Sequence, residues 1–221
     1  MKILLLFLVV SIVSRCMAQV PVSKEPHHHV VFEDSKLRAL NVLIAPGDTS
    51  LFHIHSTPSV FVTFSKTKSG SQVLNGQPQK GSSTPGIIYF ENLSPPHTRI
   101  HRVWNNDRDT FHVMDIELLS KDTGFAEEPL AVPYAQEVVD TPWVRAYRIK
   151  LPAAAIFSVK QRAASFFLVA INNVTCHVME NGTEKPAIMK AGEFFTIMPG
   201  EHFAIVNDDK ISGAFALFET R

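Results

Sequence analysis

The stretch FHIHSTPSVFV, residues 52–62, sets two histidines one residue apart in an apolar, β-branched run. In a strand, residues i and i+2 point to one face. His53 and His55 are therefore expected to share a face, their Cα atoms roughly 6.5–7 Å apart. Two neutral imidazoles at that separation can converge on one cation. Phe52 and Ile54 face the other way and are free to pack. A third ligand has to come from a later strand, where His97, His101 and His112 are available.

Other chemistry-bearing residues read as follows. His112 alternates with Met114 and Ile116, which points it inward as an acid/base group or substrate contact on the pocket wall. Phe61 or Val62, Ile88 and Met114 are expected beside it as apolar lining. His97 falls on a turn between Pro96 and Thr98. Arg99 and Arg102 flank His101 and read as surface residues pointing away from it. His27, His28 and His29 form an exposed run with at most opportunistic metal binding. No G-x-S-x-G elbow, phosphate-binding Gly loop or CxxC is present.

The elements that must carry these residues are short. LRALNVLIA, SVFVTF, GIIYFEN, TFHVMDIELL, VRAYRIKL, SFFLVAI, EFFTIM and GAFALFE are rich in β-branched and aromatic residues, and Gly, Pro, Asn and Asp punctuate them. That pattern is all-β, a barrel or sandwich. The chain divides into similar halves, each with an Arg-bearing strand, a Pro turn, an aromatic-led strand and a Gly–strand–Pro unit. Residues 19–119 are expected to form one barrel and 143–221 a second. Residues 120–142, with three prolines and clustered acids, form a linker.

Residues 1–18, with Lys2, an apolar Ile3-to-Val13 core and a Cys16-Met17-Ala18 end, read as a signal peptide, placing the chain in a secreted or periplasmic setting. Without Lys2 and Arg15, acids outnumber bases by two, and no basic stripe appears, which argues against nucleic-acid binding and strong membrane attraction. Cys176 is then the sole cysteine, expected to be buried or to pair between chains. Asn173 and Asn181 open glycosylation-acceptor triplets, relevant in a eukaryotic source.

At this point the first half resembles a cupin. Gly47, five residues, His53-Ile54-His55 and then Ser59 follow the first cupin motif. In the second motif Gly86 opens, Pro96 stands for the Pro, Thr98 for the second Gly, and His101 and Asn105 match. The stretch from Glu25 to His55 is similar to the opening of a set of exported bacterial cupins. The resemblance implies two double-stranded β-helix barrels, a bicupin, packed through paired strands or intertwined within a dimer. It carries over His53, His55 and His101 as metal ligands. The usual glutamate ligand is Ser59 here, leaving three neutral donors and open coordination positions.

Iron and zinc fit such a set first, with manganese, nickel and copper also compatible. By resemblance the chemistry is dioxygenase-like, then isomerase or lyase, on a small organic substrate; the alternative is non-catalytic capture of a small molecule or a structural metal. In the second half, Ser158-Val159-Lys160 reads as the counterpart of the HIH triplet, and His202 as that of His101. That half is a degenerate partner barrel, or a metal-free pocket in which Lys160 and His202 hold an anion. A small-molecule partner is expected, with a homodimer left open.

Overall fold

The computed structural model describes residues 19–221. The 1–18 segment read as a signal peptide lies outside the described residues. The first half carries strands β1 (Val20–Pro21), β2 (His28–Glu33), β3 (Leu37–Ile44), β4 (His53–His55), β5 (Ser59–Thr63), β6 (Lys68–Val73), β7 (Gln79–Ser82), β8 (Ile88–Glu91), β9 (Arg99–Asn105) and β10 (Phe111–Leu118). The second carries β11 (Ala135–Asp140), β12 (Val144–Leu151), β13 (Ile156–Val159), β14 (Ser165–Ala170), β15 (Val174–Glu180), β16 (Thr183–Met189), β17 (Phe194–Ile197), β18 (Phe203–Asn207) and β19 (Gly213–Thr220). Among the described residues no helix is long and apolar enough to cross a membrane.

Each half is a two-sheet barrel, as the sequence indicates. The first stacks order β1-β4-β9-β6-β7 against β2-β3-β10-β5-β8; the second stacks β13-β18-β15-β16 against β11-β12-β19-β14-β17. β11 lies inside the stretch expected to be linker. It pairs antiparallel with β12 from Ala135↔Ile149 to Asp140↔Arg145. AQEVVD hides its strand character because it is an edge strand with polar residues on its open side. The irregular connection is shorter, and Arg162 ties it down through Glu127 at 3.3 Å.

The two barrels repeat each other in detail. Asn105 donates to the carbonyls of Ile44 and Asp109, and Asn207 donates to those of Leu151 and Ile211. Arg38 pairs with Glu117 at 2.8 Å, and Arg145 faces Glu219 at 3.7 Å, on equivalent cross-strand positions of β3/β10 and β12/β19.

Among the described residues no sheet takes strands from both halves. The barrels meet through side chains between the β2-β3-β10-β5-β8 and β11-β12-β19-β14-β17 sheets, not through paired strands as expected. One cluster spans the seam: Leu37, Ala39, Val60, Val62, Met114 and Ile116 from the first barrel, with Val144, Ala146, Phe167, Val169, Ala216 and Phe218 from the second. The second barrel is filled solid by Tyr147, Phe157, Phe166, Phe203, Phe215 and their neighbours, with Cys176 among them. The first holds only a small interior cluster around Val42, Ile44, Phe61, Leu93 and Val113.

Phe167 is buried in the seam and stacks on Phe194 with centroids 4.6 Å apart. Truncating it, Phe167→Ala, is expected to cost about 3–5 kcal/mol in urea unfolding. Both halves should unfold in one transition. A loss under about 1 kcal/mol, or two separate transitions, would show that the seam does not couple the barrels.

Candidate metal centre

β4 is three residues long, and its pleat turns His53 and His55 inward while Ile54 stays half-buried on the outside. β9 lies antiparallel beside it, with His53 directly opposite His101. Cross-strand pairing and alternation thus bring three imidazoles together. Their ring centroids form a near-equilateral triangle, 4.7 Å for His53–His101 and 5.0 Å for the other two sides. One ligand nitrogen from each lies within 4.8 Å of the others.

The protonation state suits a cation. His53 Nδ1 donates to the Leu51 carbonyl at 2.9 Å, which leaves the lone pair on Nε2. That Nε2 is buried and has no hydrogen-bond partner. His55 Nε2 and His101 Nε2 face each other at 3.0 Å, close enough for both to meet a single ion. Burial foremost, then the neighbouring His28 and His55, pushes the His53 pKa down to about 3. Burial, then His53 and His55, pushes His101 down to about 2. Both rings are therefore neutral at physiological pH. An orphaned buried Nε2 among converging neutral imidazoles is a donor set that fits a divalent metal.

The triangle lies in a cavity of about 320 Å³. Phe61, Ile87, Tyr89 and Val113 give it apolar wall, Ser69, Ser71 and Ser83 add hydroxyl-bearing residues, and Tyr89 stacks on Phe61. Ser59, at the position of the cupin glutamate, does not reach the cavity; its hydroxyl donates to the Thr57 carbonyl at 3.4 Å.

Several expectations need correction. His112 does not line the cavity. It faces the seam, where its Nε2 meets Asn41 Oδ1 at 2.7 Å and its ring packs on Phe64. Val62, Ile88 and Met114 also belong to the seam. The cause is shared: β10 is covered on both faces, so apolar alternation does not say which face looks into the cavity. The cavity face of β10 is the odd one, Val113 and Asp115. Arg99 was expected on the surface, yet it stands two residues before His101, shares its face and lines the cavity, paired with Glu91 at 2.5 Å. Arg102 does point outward, over the Phe52 ring and onto Gln72.

His28 is not part of an exposed run. It is buried, lines the cavity and sits 4.5 Å from the His53 ring. The buried Glu25 carboxylate accepts from His28 Nδ1 at 2.6 Å, from the His27 ring at 3.0 Å and from the Leu51 N–H at 3.0 Å. His29 alone is exposed. An amphipathic alternation would have suggested this only with β2 placed correctly against β3.

In the second barrel the counterpart site was read one residue out of register. Asn207 repeats the clamp of Asn105, so Phe203 occupies the place of His101. Val159 pairs with Phe203 as His53 pairs with His101. The triplet expected there therefore flips over. Val159 and Phe203 stand where His53 and His101 stand, while Gln161 falls past the end of β13 and is exposed, as are Lys160 and His202. Lys160 and His202 do not point into the barrel, whose interior behind them is filled by Phe157, Val159 and Phe203.

No protein-family model matches the chain, and no curated protein does. Solved structures do. The chain is similar to AerE from Microcystis aeruginosa, with a TM-score of 0.62 at 11% identity over 89% of this chain and 93% of that one. It is similar to a salicylate 1,2-dioxygenase from Pseudaminobacter salicylatoxidans, with a TM-score of 0.57 at 12% identity over 84% and 71%. It is also similar to a cupin 2 conserved barrel domain protein from Leptotrichia buccalis, with a TM-score of 0.56 at 11% identity over 93% and 100%. At these identities the likeness shows the fold.

Glu25 gives a pH prediction. Burial alone would raise its carboxyl, but the bonds from His28, His27 and the Leu51 N–H outweigh it and bring the pKa from 4.5 down to about 2. The folded value is the depressed one, so this stabilisation is present above about pH 4.5 and fades as pH falls toward 2. Thermal unfolding of Glu25→Gln should show a flatter loss of stability over that window than wild type. Equal slopes in the two proteins would remove Glu25 as a source of acid sensitivity.

Proposed function

We propose that this two-barrel cupin is an exported metal-dependent oxygenase acting on a small, partly apolar organic substrate in the first barrel. The observation that carries the reading is the orphaned, buried Nε2 of His53 within a triangle of three converging imidazoles at the base of a cavity. His53, His55 and His101 would hold one divalent ion, iron or zinc first. Such an ion supplies polarisation of a bound oxygen donor and, if redox-active, electrons for dioxygen.

The chain's own residues supply the rest. Burial keeps His53 and His101 unprotonated, so that protons do not compete for their lone pairs at neutral pH. Phe61, Ile87 and Val113 hold an apolar substrate body and exclude water. Arg99, at the cavity wall, attracts an anionic substituent, though Glu91 shares its charge. The second barrel braces the sheet that backs the cavity. The salicylate 1,2-dioxygenase among the similar structures, also solved as adducts with gentisate, supports testing small aromatic acids first. Export rests on the reading of residues 1–18.

A second reading, capture of a small molecule without turnover, is favoured by one observation: Ser59 gives no carboxylate ligand. Elemental analysis of purified, untagged protein should find about one equivalent of metal, lost in His53→Ala and His101→Ala. The residues 27–29 must stay intact, because His28 belongs to the pocket. With Fe²⁺ loaded, dioxygen uptake is then measured against a panel of small aromatic and aliphatic acids that includes salicylate and gentisate. Uptake abolished by His55→Ala supports the oxygenase. Tight metal with ligand binding and no uptake favours capture, and no metal sinks both metal readings.

A further inference from the structure

Asp115 is the group that nothing above uses. It is 1% exposed, lies in the centre of β10 and faces the cavity. Both of its carboxylate oxygens are buried without a hydrogen-bond partner. Its nearest basic group is His55 Nδ1, at 3.3 Å from Oδ2, and that nitrogen is also buried and partnerless. A buried carboxylate left like this is costly. The polar group closest to it is the outer nitrogen of one of the three converging histidines.

His55 has two ring nitrogens, and they look in opposite directions. Nε2 faces His101 within the triangle, while Nδ1 faces Asp115 behind it. Asp115 is thus placed behind the ligand, not within the ligand set.

The molecule carries its own control. Asp115 lies opposite Leu40 and Phe61 in the first barrel; Leu217 lies opposite Tyr147 and Leu168 in the second. The second barrel, which has Val159 and Phe203 in place of His53 and His101, has leucine in place of the aspartate. It is packed solid there, and its fold is kept. Thus the barrel frame does not require an acid at this position. The acid is present in the barrel that has the imidazole triangle and absent in the one that lacks it.

We propose that Asp115 is a positioning residue for the metal: it accepts from His55 Nδ1–H, fixes the lone pair on Nε2 and supplies from behind the ring the negative charge that Ser59 cannot supply as a ligand. This rests on the metal reading above. Carboxylates that hold a ligating histidine in this way raise its basicity, and their loss weakens metal affinity by about 10–100-fold.

The probe is Co²⁺ alone, titrated into metal-free protein and followed by calorimetry and by its visible absorption. Asp115→Leu reproduces the second barrel. It should raise the Co²⁺ dissociation constant by about 10–100-fold while the metal-free protein melts at or above the wild-type temperature, since a buried polar group without a hydrogen-bond partner has gone. Asp115→Asn keeps the shape, can still accept from Nδ1–H, and should lose less affinity while shifting the Co²⁺ spectrum.

Wild-type affinity in both variants would overturn the proposal while leaving the three-histidine site standing. So would a metal-free Asp115→Leu protein that is as destabilised as a core truncation, since that is what a purely structural carboxylate predicts. Failure of the wild type itself to bind Co²⁺ would instead strike the metal reading, and this inference with it.

Discussion

The sheet β2-β3-β10-β5-β8 is covered on both faces, and the rest of the molecule depends on that. Its even-numbered β10 residues, Met114 and Ile116, pack against the second barrel, and its odd-numbered ones, Val113 and Asp115, look into the first. A sheet that buries one face completely does not need the other to close a dense core. The first barrel is therefore free to be hollow. It can hold a cavity of about 320 Å³ lined by imidazole, hydroxyl and carboxylate where a lone barrel of this size would need hydrocarbon.

The same division explains the electrostatics. Taking His53 and His101 out of water disfavours their charged forms and keeps the lone pairs available. That environment is costly for an acid, and two acids are nonetheless there. Glu25 is satisfied by His27, His28 and a backbone N–H; Asp115 has no hydrogen-bond partner and faces His55 Nδ1 at 3.3 Å. The contrast separates a group that secures the N-terminal segment from a group set behind one of the converging histidines. Removal of His28 as a supposed stray metal binder would take out part of this network.

What the sequence disclosed, and what it did not, follows from the number of covered faces. β4 is covered inside and only half-buried outside, so the HIH alternation assigned His53 and His55 correctly, and the partner strand put His101 opposite. β10 reads apolar on both sides, and its alternation left the choice of face open; His112 was placed on the wrong one. Arg99 needed only the parity rule, applied from His101 backward. The second-half register failed because its inward residues, Val159 and Phe203, differ in kind from their counterparts, so that the nearby His202 drew the alignment one residue aside. Asn207 was the better anchor, since a side chain holding two or more carbonyls has little freedom to slip. β11 was missed because its composition is that of an exposed edge.

The seam has one further property. The residues that meet there occupy equivalent positions in the two barrels: Leu37 and Val144 at the starts of β3 and β12, Val60 and Phe167 in β5 and β14, Ile116 and Phe218 in β10 and β19. A patch that meets its own equivalent is the mark of an isologous contact, the kind made by twofold dimers. Within one chain the two faces of such a contact need not be identical: the first barrel carries the histidine triangle, and the second fills its interior with hydrocarbon.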